Sequence, residues 1–62
     1  MKYNVVKPGN CEHSGNPKGH IFWSSFDINE AYRERAGITN LYKKNDDAKN
    51  CPNCEMVIEE VN

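Results

Sequence analysis

The chain is short of most things that hold small folds together. Its 62 residues include one leucine, Leu41, and only three cysteines, and the mean hydropathy is −0.89. No apolar run approaches the roughly 20 residues that cross a bilayer. Residues Met1 to Pro8 lack the apolar stretch of a secretory signal. Charge of one sign is also missing: eight Lys and Arg stand against nine Asp and Glu, a net charge of −1. It stays slightly negative with three thiolates and one divalent ion counted, which gives no electrostatic case for nucleic acid or an anionic membrane surface. An odd number of cysteines cannot all pair within one chain, which argues against a disulfide framework and for a reducing, cytoplasmic setting. A chain of this size buries about 60% of the surface it exposes when unfolded. A core this thin in aliphatics would rarely give more than about 3–5 kcal/mol, so a staple is expected.

The cysteines supply one. They fall with a histidine into two clusters, Cys11-Glu12-His13 and Cys51-Pro52-Asn53-Cys54. Two donors from each make a Cys3His set, the pattern of a closed, tetrahedral structural zinc site. Such sites carry apparent binding free energies of roughly 10–16 kcal/mol coupled to folding, enough to decide whether the chain folds. Cys11 and His13 sit two apart, so an extended backbone points both side chains the same way, and Gly15 then lets the chain turn off. His20 is the alternative to His13, because the loop from Gly15 to Gly19 could return it to the metal. Glu12 is expected to face solvent. The predicted metal ligands are therefore Cys11, His13, Cys51 and Cys54, holding one structural Zn²⁺.

Cys51-Pro52-Asn53-Cys54 resembles the zinc knuckle of zinc ribbons, rubredoxin-like domains and treble clefs, in which a tight turn lets two thiolates grip one metal. Proline presets the turn, and exposed backbone N–H groups can donate to the sulfurs. The glycine often found soon after the second cysteine is Glu55 here. A thioredoxin-like redox pair is the competing reading of C-x-x-C, but it needs βαβ surroundings that the eight residues after Cys54 do not provide. Zinc deaminases pair H-x-E with P-C-x-x-C. Here Glu12 precedes His13 and Pro52 lies inside the cysteine pair, and four protein donors leave no position for an activated water. No enzyme activity is expected.

Alternation predicts a strand over Lys2 to Lys7, with Tyr3 and Val5 on one face and Asn4 and Val6 on the other. The aromatic and β-branched run His20 to Trp23 predicts a second strand. Asp27 with Glu30, or Ser24 with Asp27, can cap a helix at about residues 27–36, with Ile28, Ala31, Tyr32 and Ala36 on its inner face. Gly37 suits a left-handed helix end, with Ile38 folding back on Tyr32. Thr39 to Asn50 reads as an excursion, and Met56 to Val61 as a strand. The fold expected is a small α+β, zinc-ribbon-like arrangement of short antiparallel strands and one helix, with residues 1–62 forming a single zinc-stabilised domain.

The aromatics exceed what the aliphatic content suggests, and aromatics left outside a core mark binding surfaces. Trp23 and Tyr42 border polar segments and are the predicted partner contacts, with Lys43 and Lys44 as a small basic edge. The expected role is a cytosolic zinc-binding interaction module, an accessory or regulatory factor that binds another protein. A nucleic-acid-binding zinc ribbon is the alternative, and a thiol redox protein the third.

Overall fold

The computed structural model describes all residues from Met1 to Asn62. Three antiparallel strands, β1 (Lys2–Val6), β2 (Ile21–Ser25) and β3 (Val57–Val61), form one sheet in the order β2-β1-β3. One helix, α1 (Ile28–Lys43), packs on it. The fold class is small α+β of the zinc-ribbon-like kind. No helix is long and apolar enough to cross a membrane.

β1 lies in the middle, and its last three residues, Asn4, Val5 and Val6, are buried, whereas neither edge strand has a buried residue. Val5 opposes Trp23 on one side and Ile58 on the other. Tyr3 and Val5 face the helix and Asn4 and Val6 the opposite face, as alternation requires. The β1–β2 register slips between Val5 and Val6, leaving Phe22 as the extra residue of a bulge. That bulge lets Phe22 reach the core alongside the side chains that alternate normally. Past Val6 the pairing continues through Lys7 N–H to the His20 carbonyl (3.0 Å) and Gly19 N–H to the Lys7 carbonyl (2.8 Å). Gly19 has φ of 85°, a conformation that favours glycine and lets the long β1–β2 loop close.

Helix α1 starts where the capping signals place it. Asp27 is the N-cap and its side chain accepts from Asn29 N–H at 2.9 Å. Glu30 does not close a capping box. Its carboxylate instead accepts from the Trp23 indole N–H at 3.1 Å.

The helix end differs from the sequence expectation. Gly37 does not terminate α1, which runs on to Lys43. Thr39 and Asn40 are weak helix formers, yet tertiary contacts hold this last stretch. Ile38 and Tyr42, one turn apart, pack against the core of Val5, Ala31 and Met56. Thr39 Oγ1 accepts from Met56 N–H at 3.0 Å. The inner face is accordingly Ala31, Ile38 and Tyr42. Ile28, Tyr32 and Ala36 are exposed, and Ile38 does not fold back on Tyr32. The chain leaves the helix only at Asn45, whose extended backbone caps a short 3₁₀ turn over Asp46–Ala48.

Only nine residues are buried, so small changes in backbone freedom should register. A Cβ at Gly37 meets nothing within 4 Å and its φ is not positive. Gly37→Ala should therefore raise stability by about 0.5–1 kcal/mol through helix propensity. A Cβ at Gly9 would lie 2.7 Å from Asn53 Cγ, so Gly9→Ala should cost about 1–3 kcal/mol by overpacking. Thermal unfolding of the two variants should move in opposite directions. A destabilised Gly37→Ala would contradict the extended helix.

Candidate metal centre

The β1–β2 loop and the segment between α1 and β3 meet at one end of the sheet. The first delivers Cys11 and His13, the second Cys51 and Cys54. Pro52–Cys54 is a 3₁₀ turn with Cys51 as its N-cap and proline in its first turn. Cys54 N–H bonds to the Cys51 carbonyl at 3.1 Å. This tight turn brings the two sulfurs to the same side, as proline's fixed φ favours.

Cys11 Sγ lies 3.6 Å from Cys54 Sγ, and Cys54 Sγ lies 3.9 Å from His13 Nδ1. One ligand atom from each of Cys11, His13, Cys51 and Cys54 falls within 4.8 Å of the others. Zinc bonds of about 2.3 Å to sulfur and about 2.0–2.1 Å to nitrogen set tetrahedral edges of about 3.5–3.8 Å. The donor set and its spacing fit a four-coordinate ion, which would draw the four atoms slightly together. His20 lies outside the group. Its ring packs edge-on against Phe22 at 4.6 Å, and its backbone serves the turn that joins β1 to β2.

The electrostatics of the four groups differ. Burial pushes the Cys11 thiol up, but the Lys7 ammonium, the His13 backbone, and the Cys54 and His13 side chains outweigh it and bring it down to about 6. Cys51 is lowered by a similar contest, with burial opposed by Cys54, the Asn53 backbone and His13. Cys54 is the most deeply buried of the three, and burial, then hydrogen bonds to Cys11 and Cys51 and their charge, pushes it up to about 12. Hydrogen bonds to Cys11 and Cys51 raise His13. The Asn53 backbone hydrogen bond to Cys51 is the kind expected of a knuckle, offsetting charge on the sulfur, and the His13 backbone does the same for Cys11 in the other loop.

No protein-family model, no curated protein and no solved structure matches the chain.

The predicted partner contacts are placed unevenly. Tyr42 is half-buried: its ring meets Phe22 edge-on at 5.9 Å, and its hydroxyl is within 2.9 Å of both Ser14 Oγ and Asn16 Nδ2. Lys43 Nζ donates to the Lys49 carbonyl (2.9 Å) and the Cys51 carbonyl (3.2 Å) and pairs with Glu55 at 3.3 Å. Both residues thus belong to the framework around the site. Trp23 is 40% exposed and Lys44 is exposed.

Sequence reasoning passed over Lys7. It is 1% exposed, and its Nζ reaches Cys11 Sγ at 3.2 Å. The available signal was its place at the end of the central strand, four residues before a ligand.

Two outcomes follow from the site. With Cys54 near 12 and Cys11 near 6, Cys11 is a thiolate at neutral pH, whereas Cys54 must release a proton to bind metal. Protons therefore compete with the ion, and apparent zinc affinity should rise with pH by about tenfold per unit from Cys54 alone. The dependence should steepen as His13, raised above the ordinary 6.5, takes up its proton, and again below about pH 6 as Cys11 protonates. Competition against a chromophoric chelator between roughly pH 5 and 8 would measure the slope, and a flat profile would contradict the ligand set. Separately, chelation should unfold the protein. His13→Ala should lower zinc affinity at least about tenfold, while His20→Ala should cost only packing, on the order of 1 kcal/mol. The reverse ranking would make His20 the ligand.

Proposed function

We propose that this chain is a cytosolic zinc-stabilised module that binds another protein, as an accessory or regulatory factor. The observation that carries the reading is Phe26, which is 79% exposed in a chain that has few apolar side chains to spare. Large exposed aromatics are the residues that most often anchor interfaces. Phe26 does not stand alone. Trp23 precedes it, and Ile28 and Tyr32, one helical turn apart, follow it, all of them exposed.

The segment that presents Phe26 is held still. Asp27 N–H donates to Ser25 Oγ at 3.0 Å while the Asp27 carboxylate caps the helix. The Trp23 indole is fixed on Glu30, and the Arg35 guanidinium lies over the Tyr32 ring at 5.6 Å. Side chains ordered before binding lose less entropy on association.

Zinc in this reading has a structural task, because four protein donors complete its coordination and leave no open position for substrate. The depression beside the site is lined by Glu12, His13, Asn45 and Asp47 and has no apolar wall, unlike most small-molecule pockets. A catalytic role is accordingly not proposed. The basic edge expected for nucleic acid is reduced, since Lys43 is bonded internally and Lys49 pairs with Asp46 at 2.8 Å.

Phe26→Ser and Tyr32→Ser should each leave zinc content and melting temperature nearly unchanged and weaken partner binding by about 2 kcal/mol. Affinity capture with the parent and the two variants as baits, followed by calorimetry on the recovered protein, would measure this. Equal recovery by all three baits would contradict the proposal. A complex with RNA or DNA that weakens steeply with salt and is lost in Lys44→Ala would replace it with the nucleic-acid reading.

A further inference from the structure

The side chain of Lys7 is among the largest that the protein buries completely. Lysine is almost never fully buried without a partner, and an isolated ammonium is costly to remove from water. Its Nζ has three acceptors: the Gly9 carbonyl, the Asn53 carbonyl at 3.1 Å and Cys11 Sγ at 3.2 Å. A neutral amine has two N–H groups and an ammonium has three, so the three acceptors match the charged form. Neither of the two ion pairs in the protein involves Lys7. The anion it contacts is therefore the Cys11 sulfur itself.

These acceptors come from both halves of the metal site. Gly9 and Cys11 belong to the β1–β2 loop, and Asn53 lies inside the knuckle, 46 residues along the chain from Lys7. The Asn53 amide adds a parallel link, donating to the Asn10 carbonyl at 3.0 Å. One buried cation thus spans the same junction that the four metal donors span.

We infer that Lys7 is a positioning and charge-matching residue of the metal centre, donating to Cys11 Sγ and making the partly buried assembly neutral when the ion is divalent. The inference rests on the metal-site reading given above. Three thiolates, a neutral imidazole and a divalent ion leave one negative charge, and the ammonium cancels it. A monovalent or trivalent ion would leave a net charge on this partly buried cluster. The N–H···S bond also draws electron density from Cys11. That lowers its sulfur orbitals and makes the metal-bound thiolate a poorer nucleophile.

Cobalt(II) loaded into the parent, Lys7→Met and Lys7→Gln tests this. All three should show tetrahedral ligand-field bands. In Lys7→Met the sulfur-to-cobalt charge-transfer band should move to lower energy, because the sulfur has lost its donor, and in Lys7→Gln, which keeps an amide N–H but not the charge, it should move in the same direction by less. Zinc affinity should fall about 10–100-fold, as for other groups that orient metal ligands, and iodoacetamide should alkylate the zinc-loaded variants faster. Unchanged charge-transfer energy and alkylation rate with weakened affinity would reduce Lys7 to a structural tie and overturn the inference.

Should neither variant fold, nuclear magnetic resonance of the zinc-loaded parent decides. A slowly exchanging Lys7 ammonium signal close to the Cys11 β-protons supports the role, and a fast-exchanging one overturns it. A parent that takes up neither cobalt nor zinc would fail the metal-site reading itself, an outcome distinct from both.

Discussion

The sulfurs of Cys11 and Cys54 lie 3.6 Å apart although 43 residues separate them. Bringing them together closes a loop that contains β2, all of α1 and the 3₁₀ turn after it. The entropy lost in closing such a loop has little to offset it within the apolar core, which centres on Val5, Ala31 and Met56. Three thiols, one imidazole and one ammonium converge on that junction, and burial works against the charged forms that metal binding requires. An ion that accepts all four donors removes this conflict, stabilising the thiolates that the metal-free site holds at the expense of desolvation. The framework nearby serves the same junction: Lys43 ties the end of α1 to the Cys51 carbonyl, and Thr39 ties it to Met56 just past Cys54.

What could be seen in the sequence was what depends on neighbours along the chain. C-x-x-C with proline specifies a turn and two thiolates. Alternation in Lys2 to Lys7 separates two faces, and Asp27 supplies a cap whatever lies around it. The end of the helix depended on residues far away. Gly37, Thr39 and Asn40 point locally to an ending, and it is the docking of Ile38 and Tyr42 on the sheet, with Lys43 on the knuckle, that keeps them helical. The same dependence shifted the inner face of α1 from Tyr32 and Ala36 to Ile38 and Tyr42, and drew Tyr42 and Lys43 from the expected partner surface into the framework.

Lys7 shows a different limit. A lysine at the end of a strand reads as a solvated charge, because that is where most lysines lie. Its burial is set by three acceptors, of which the Asn53 carbonyl comes from the far end of the sequence and the Cys11 sulfur matters only as a thiolate. Nothing in the residues around it announces that set. A charged side chain closing the most buried strand, four residues before a candidate ligand, is the position at which a counter-charge to three thiolates would be placed.

The strand register also separates the candidate metal site from the exposed aromatic patch. Val6 pairs with Ile21 and Val57 at the end of the sheet that runs into the Cys11 loop, whereas Tyr3 pairs with Ser25 at the other end. Phe26 and the start of α1 follow Ser25, so they lie at the end away from the ligands, and α1 then runs back the length of the sheet to reach the knuckle. The molecule is elongated, 34 × 19 × 14 Å, which keeps the two ends apart. Apolar side chains near the candidate site are consumed in holding its loops, while those around the β2–α1 turn are left exposed. In the proposed reading, coordination at the opposite end supplies the stability that burying Phe26 and Tyr32 would otherwise have provided.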